Sequence, residues 1–177
     1  WRFCKGDIRG AEAVNFDDRS WEVVSTPHTV ELMPAEGSGC RNYQGPAWYR
    51  KYFVVPTATK GQRVLLHFEA AMGKQVLYLN GKRVQEHLGG YLPFTLDGVQ
   101  AGDSCLLAVY TDNSNDKSYP PGKPQYTLDF AYHGGIYRDV WMIAKSPVAI
   151  TDAIDSWTVG GGGVFVHFDK ISEKSAQ

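Results

Sequence analysis

His28, after Pro27, and His133, before a glycine pair, are of a type that takes up a proton near neutral pH, and each could be taken for a catalytic base. Base catalysis needs a nucleophile within reach, and neither histidine has one at a recognisable spacing, so a hydrogen-bonded structural role is expected for both. The adjacent pair Asp17-Asp18 reads as a turn-forming cluster, because short carboxylates bond nearby backbone N–H groups. Glu69 and Asp139 fall in strand-like surroundings and read as partners of arginines or backbone. Cys4, Cys40 and Cys105 are odd in number and far apart, without the close Cys or His spacing of a zinc site. They allow at most one disulfide within the chain and leave the redox compartment undecided. Cys105 precedes Leu106-Leu107-Ala108-Val109 and reads as a buried small hydrophobe, whereas Cys40 lies in a Gly-rich loop.

Recognition is better provided for than reaction. Two connections, Thr29 to Pro46 and Asn113 to Gly134, are longer than the roughly 12 to 15 residues of an ordinary loop. The first carries Glu31, Arg41, Tyr43 and Gln44; the second carries Tyr119, Tyr126, Asp129, Phe130, Tyr132 and His133. Loops this aromatic are poor candidates for disorder. Pro120, Pro121 and Pro124 further restrict the second, which lowers the entropy lost when it docks on something.

The elements that must position these loops are strands. No stretch keeps a helical apolar period over three turns, and strand signals recur throughout. Lys74 to Leu79 and Lys82 to His87 flank Asn80-Gly81, the dipeptide that tolerates two successive positive φ values in a type I′ hairpin turn. Further strands are predicted at Trp48 to Val55, Arg63 to Ala70, Ser104 to Thr111, Ile136 to Ala144 and, more weakly, Trp21 to Val24. In Gly134-Gly135-Ile136-Tyr137-Arg138-Asp139-Val140-Trp141 the glycines end a loop and a buried strand is predicted to begin. Arg138 and Asp139 would then face opposite sides and need separate partners. In Trp48-Tyr49 one of the two rings must point inward, so core packing is expected for at least one. Two packed antiparallel sheets, an all-β jelly-roll sandwich, are the economical arrangement.

The chain of 177 residues, 43% hydrophobic, can bury one substantial core. Its 18 basic and 19 acidic residues nearly cancel, which argues against nucleic acid or an anionic membrane surface as partner. No apolar run approaches the roughly 20 residues that span a bilayer, so a soluble chain is expected. The start at Trp1 leaves a processed protein and a trimmed piece both open, with periplasmic and extracellular locations as candidates for the parent. From Ser146-Pro147 the character changes: strand-like Val148-Ala149-Ile150, four glycines at Gly160 to Gly163, then the alternating Val164-Phe165-Val166-His167-Phe168, read as a strand. The expected division is a domain over 1–145 and, over 146–177, a linker with the opening of a second domain.

Taken in order, Trp1-Arg2-Phe3 with Gly6-Asp7, Asp17-Asp18-Arg19-Ser20-Trp21, Pro27-His28, Tyr43-Gln44-Gly45, Trp48-Tyr49-Arg50-Lys51, Phe68-Glu69, Leu79-Asn80-Gly81, Gly89-Gly90-Tyr91-Leu92-Pro93-Phe94, Asp112-Asn113 and Gly134-Gly135-Ile136-Tyr137-Arg138-Asp139-Val140 carry a resemblance. Residues 1 to 145 resemble the N-terminal sugar-binding domain of family 2 glycoside hydrolases, which include β-galactosidases, β-mannosidases and β-glucuronidases. Ile171 to Ala176 looks like the start of that family's next domain, an immunoglobulin-like sandwich.

The resemblance implies a galactose-binding-domain-like jelly roll that leans on a separate (β/α)₈ barrel with two catalytic glutamates. Retaining glycosidases hold two carboxyl groups about 5 to 5.5 Å apart. These residues offer no such pair, so no catalytic residue is assigned and the fragment alone is expected to be inactive. The resemblance places Asp129, six residues before Gly135, where the family's aspartate reaches the sugar hydroxyls, a task suited to a carboxylate acceptor. It aligns Gln44 with an asparagine that contacts sugar in the galactosidases; the added methylene shifts or replaces that contact. No cofactor is called for. In some relatives an aspartate near Asp129 helps hold sodium or magnesium, and no such metal is assigned here. The implied function is the non-catalytic sugar-binding domain of a β-galactosidase-like exo-glycosidase acting on terminal β-glycosides. A free-standing carbohydrate-binding module, a β-glucuronidase or β-mannosidase parent, and a purely structural domain are the alternatives.

Overall fold

The computed structural model describes residues 1–33, 42–130, 132–156 and 158–176. Cys40 and Arg41 lie outside them. Two compact units are separated at Pro147, one over Trp1–Pro147 and one over Val148–Gln177.

The first unit holds β1 (Arg2–Lys5), β2 (Glu22–Val23), β3 (Pro46–Val54), β4 (Arg63–Phe68), β5 (Lys74–Leu79), β6 (Lys82–Leu88), β7 (Phe94–Val99), β8 (Ser104–Asp112) and β9 (Val140–Lys145). They form two antiparallel sheets, one of six strands in the order β2-β1-β3-β8-β5-β6 and one of three in the order β7-β4-β9. The predicted sandwich is therefore present. Its inner layer follows from alternation along the strands: Tyr49, Leu77, Leu107 and Val109 of the larger sheet meet Leu66, Phe68, Phe94 and Leu96 of the smaller. Phe68 and Phe94 stack with ring centroids 4.7 Å apart. Burying side chains of this size contributes about 1.5 to 3 kcal/mol each before conformational entropy is counted.

The unbroken apolar run of β8 has a separate cause. Leu107 and Val109 face the inter-sheet core, while Ala108 packs on the opposite face with Trp48, Tyr78 and Tyr110 beneath a segment carrying Ala11, Phe16 and Trp21. A strand covered on both faces loses its polar alternation. Trp48 and Tyr49 point to opposite faces, and both are buried.

The Asn80-Gly81 turn has the expected left-handed backbone, with φ of 50° and 80°. The strand prediction differs elsewhere. β1 and β7 were not predicted, being short or interrupted by Asp97 and Gly98. The strand predicted from Ile136 begins only at Val140. Before that point the main chain makes single bonds to neighbours, His28 N–H to Ile136 C=O at 2.8 Å and Glu69 N–H to Asp139 C=O at 3.0 Å. Arg138 and Asp139 therefore precede the strand rather than alternate across it.

In the second unit, Val148 to Ile150 and Val164 to Phe168 form no strand; the only pairing among the described residues is the hairpin of β10 (Ile171–Ser172) and β11 (Ser175–Ala176). Val164, Phe165, Val166 and Phe168 are exposed, having no sheet face to pack on. Among the described residues no helix is long and apolar enough to cross a membrane.

Candidate functional site

The two long loops converge at one end of the sandwich because buried backbone groups there must find partners. Asn113, 2% exposed at the end of β8, acts as the clip: its Oδ1 accepts from Gly45 N–H at 2.9 Å and its Nδ2 donates to Tyr43 C=O at 2.9 Å. Val30 N–H donates to Gly134 C=O at 3.0 Å, and Met72 N–H to Gly135 C=O at 3.0 Å. Gly135 has φ of +91°, and a Cβ there would collide with Tyr49 Oη. Both constraints demand glycine. Tyr49 Oη in turn lies 2.9 Å from His28 Nδ1. Burial lowers the His28 pKa against a smaller opposing effect of Glu22, and burial pushes the Tyr49 hydroxyl up.

On this frame Gln44 is the centre of a polar cluster. Its Nε2 donates to Asn115 Oδ1 at 3.1 Å and Gln125 Oε1 at 2.9 Å, and lies 3.3 Å from Tyr132 Oη. Gln125, 3% exposed, opens a short 3₁₀ turn (Gln125–Thr127) behind Pro124, and its N–H donates to Asn115 Oδ1 at 3.2 Å. Asn42 Nδ2 donates to Tyr132 C=O at 2.9 Å. Asn42, Gln44, Gln125 and Tyr126 line an open pocket of about 320 Å³. Burial raises the Tyr132 hydroxyl pKa, with nearby Tyr91 adding to it and the Gln44 contact opposing it. The nearby Tyr119 hydroxyl is pushed up to about 12, chiefly by burial. Phenols that stay neutral and amides that never ionise give a wall able to donate and accept hydrogen bonds without carrying charge.

Asp129 is exposed, two residues beyond the 3₁₀ turn, on the loop that Gln44 holds through Gln125. Of the two residues singled out from sequence, Gln44 is drawn into the cluster, while Asp129 stands on the outer part of the same loop. Asn42, Asn115 and Gln125 were not singled out; a loop amide carries no spacing signal.

The other candidates resolve into scaffold. His28 and His133 are hydrogen-bonded, the latter to Thr29 Oγ1 at 3.2 Å. Asp17 Oδ1 accepts from Arg19 N–H at 3.1 Å, the turn expected of it, and the Arg19 guanidinium holds the Asp17 carboxyl well below the usual range. Asp18 departs from that expectation, since it pairs with Arg50 at 2.8 Å. Glu69 accepts from Trp141 Nε1 at 3.0 Å and from Arg138 at 3.1 Å, which lowers its pKa. Cys105 is a buried free thiol. Among the described residues no three His, Cys, Asp or Glu side chains are grouped to hold a metal ion.

Residues 12–147 match the family described as Glycosyl hydrolases family 2, sugar binding domain. The chain belongs to this family. The family 2 domain is 35% identical over 181 aligned positions to a β-galactosidase of Thermoanaerobacter pseudethanolicus, covering 100% of this chain and 23% of that protein. It is 30% identical to a β-glucuronidase of Formosa agariphila, covering 99% of this chain and 19% of that one. Among solved structures, Bacteroides uniformis β-glucuronidase 2, covalently bound to cyclophellitol-6-carboxylate aziridine, is 34% identical with a TM-score of 0.70, over 81% of this chain and 17% of its own. A family 2 β-glucuronidase reaches a TM-score of 0.74 at 30% identity, over 99% of this chain and 20% of its own. The family 2 domain thus spans about a fifth of the length of these relatives.

Proposed function

We propose that this chain is the non-catalytic sugar-binding domain of a longer retaining β-glycosidase, in which it leans on a separate catalytic barrel and forms one wall of the sugar subsite. The observation that carries this reading is the Gln44 side chain, which ties the two long loops together through Gln125 and Asn115 and builds a neutral, hydroxyl-complementary wall. Asp129, exposed on the same loop as Gln125, accepts hydrogen bonds from sugar hydroxyls, and Gln44 holds the wall in register while lining it. Tyr91, Leu92, Tyr126 and Phe130 are exposed apolar side chains that contact with a barrel would cover. The substrate is a terminal β-glycoside, a β-galactoside first, in line with the 35% identical β-galactosidase. A β-glucuronide is the second reading, favoured by solved β-glucuronidases at 30 to 34% identity. We place the parent in an aqueous compartment, periplasmic or extracellular, and divide this chain into a sugar-binding domain over 1–145 and the opening of another over 146–177.

The test pairs this chain with its full-length parent on nitrophenyl β-galactoside, β-mannoside and β-glucuronide, with calorimetric titration of the chain against the free sugars. Turnover by the parent alone, with weak or no binding by the chain, supports the reading and names the sugar. Micromolar binding by the chain alone replaces it with a free-standing carbohydrate-binding module.

A further inference from the structure

The hydrogen-bond network around Gln44 determines which amide atoms remain for a ligand. A backbone N–H can only donate, so the bond from Gln125 N–H makes the Asn115 atom an oxygen. That oxygen also faces Gln44, whose atom must then be the nitrogen, Nε2. The same Nε2 points at Gln125, which must answer with Oε1. Gln125 is left with Nε2, and this donor has no hydrogen-bond partner among the described residues. The same logic runs through Asn42: the Tyr132 carbonyl can only accept, so the Asn42 atom against it is Nδ2, and Oδ1 is left over. Asn42 Oδ1 is also buried and without a partner among the described residues. Both side chains line the same pocket.

We propose, resting on the sugar-subsite reading above, that Asn42 and Gln125 together hold one neutral hydroxyl of the substrate, Gln125 Nε2 donating to it and Asn42 Oδ1 accepting from it. A hydroxyl is the simplest group that accepts and donates at once. A carboxylate would set its charge against Asn42 Oδ1, and an ammonium would set its own against the Gln125 NH₂, so both are rejected. Both atoms are closed to water in this structure, so a hydroxyl reaches them once the side chains lining the pocket shift, and the two new bonds then satisfy groups that the free domain leaves unpaired among the described residues. A sugar lacking the hydroxyl leaves them unpaired, which is how such a site discriminates.

The experiment uses the full-length parent, its nitrophenyl β-galactoside or β-glucuronide, whichever it turns over, and the monodeoxy analogues of that glycoside. Gln125→Glu keeps the Oε1 that Gln44 needs and replaces the donor with an oxygen. Expected is a loss of kcat/KM of about 10- to 100-fold on the parent glycoside, vanishing on one particular deoxy analogue. Asn42→Ala is expected to lose its effect on that same analogue. Should Gln125→Glu fail to fold, Gln125→Met removes the donor at similar size and is read identically. An equal loss on every analogue, or no loss on any, overturns the proposal in favour of a purely structural network. Asp129→Ala is assayed alongside. If it lowers turnover while the amide variants do not, the subsite reading stands and this hydroxyl site falls; if it too is silent, the subsite reading itself falls.

Discussion

The Arg50 guanidinium meets the Asp18 carboxylate at 2.8 Å with the arginine side chain wholly closed to solvent. Arg50 also donates to the carbonyls of Ala11 and Ala13 and to Tyr52 Oη, so one β3 residue fastens the segment covering the outer face of the larger sheet. Asp18→Ala leaves a buried cation without its counter-charge. The expected cost is about 3 to 5 kcal/mol, read from urea unfolding. A change of under about 1 kcal/mol would mean that the carbonyls alone suffice to hold the guanidinium.

Gly135→Ala tests the packing beneath the two long loops. The added methyl meets the Tyr49 hydroxyl at a backbone angle that L residues avoid. Overpacking and strain together predict a loss of roughly 2 to 4 kcal/mol. Gly135→Ala in Tyr49→Phe should recover part of it, because the colliding oxygen is gone.

Burial depresses the pKa of both His28 and His87 below the ordinary 6.5, and His87 stacks on Phe94 with centroids 4.2 Å apart. The unfolded chain therefore takes up protons near 6.5 while the folded chain resists until lower pH. This contribution to stability is complete above 6.5, falls as pH drops through 6.5 toward the folded values, and levels off below them. Denaturant titrations between pH 8 and pH 5 should show the decline, and His87→Phe, which keeps the stacking, should flatten it. An unchanged slope in that variant would assign the decline to other groups.

Asp129→Asn in the full-length parent keeps the shape and one acceptor oxygen but removes the charge. Loss of a charge-assisted bond to a sugar hydroxyl is expected to lower kcat/KM about 10- to 150-fold with an unchanged melting temperature. Equal activity would leave Asp129 as a loop residue.

The sequence made the fold legible where chemistry is local. Asn80-Gly81 announced its hairpin, and the apolar runs now seen as β3, β4, β5 and β8 marked the strands that carry the core. It misled where alternation exists without a partner strand: Ile136 to Asp139 bond singly to His28 and Glu69, and Val164 to Phe168 have no sheet to join. Asp129 and Gln44 were reached only through resemblance. The cluster of Asn42, Asn115 and Gln125 stayed hidden because its members lie up to 83 positions apart and meet only through the loop crossing that Asn113 clips together.

The edges of the larger sheet bear on how the domain behaves in isolation. At one end β2 is two residues long, and at the other β6 carries Lys82, Arg83 and Glu86 among its seven. A short rim and a charged rim are poor templates for a second copy to extend the ladder. The larger sheet is therefore a poor seed for edge-to-edge assembly, and the apolar surface to guard against aggregation lies elsewhere, at Trp141 and Met142 on the edge strand β9 and at Val164, Phe165, Val166 and Phe168.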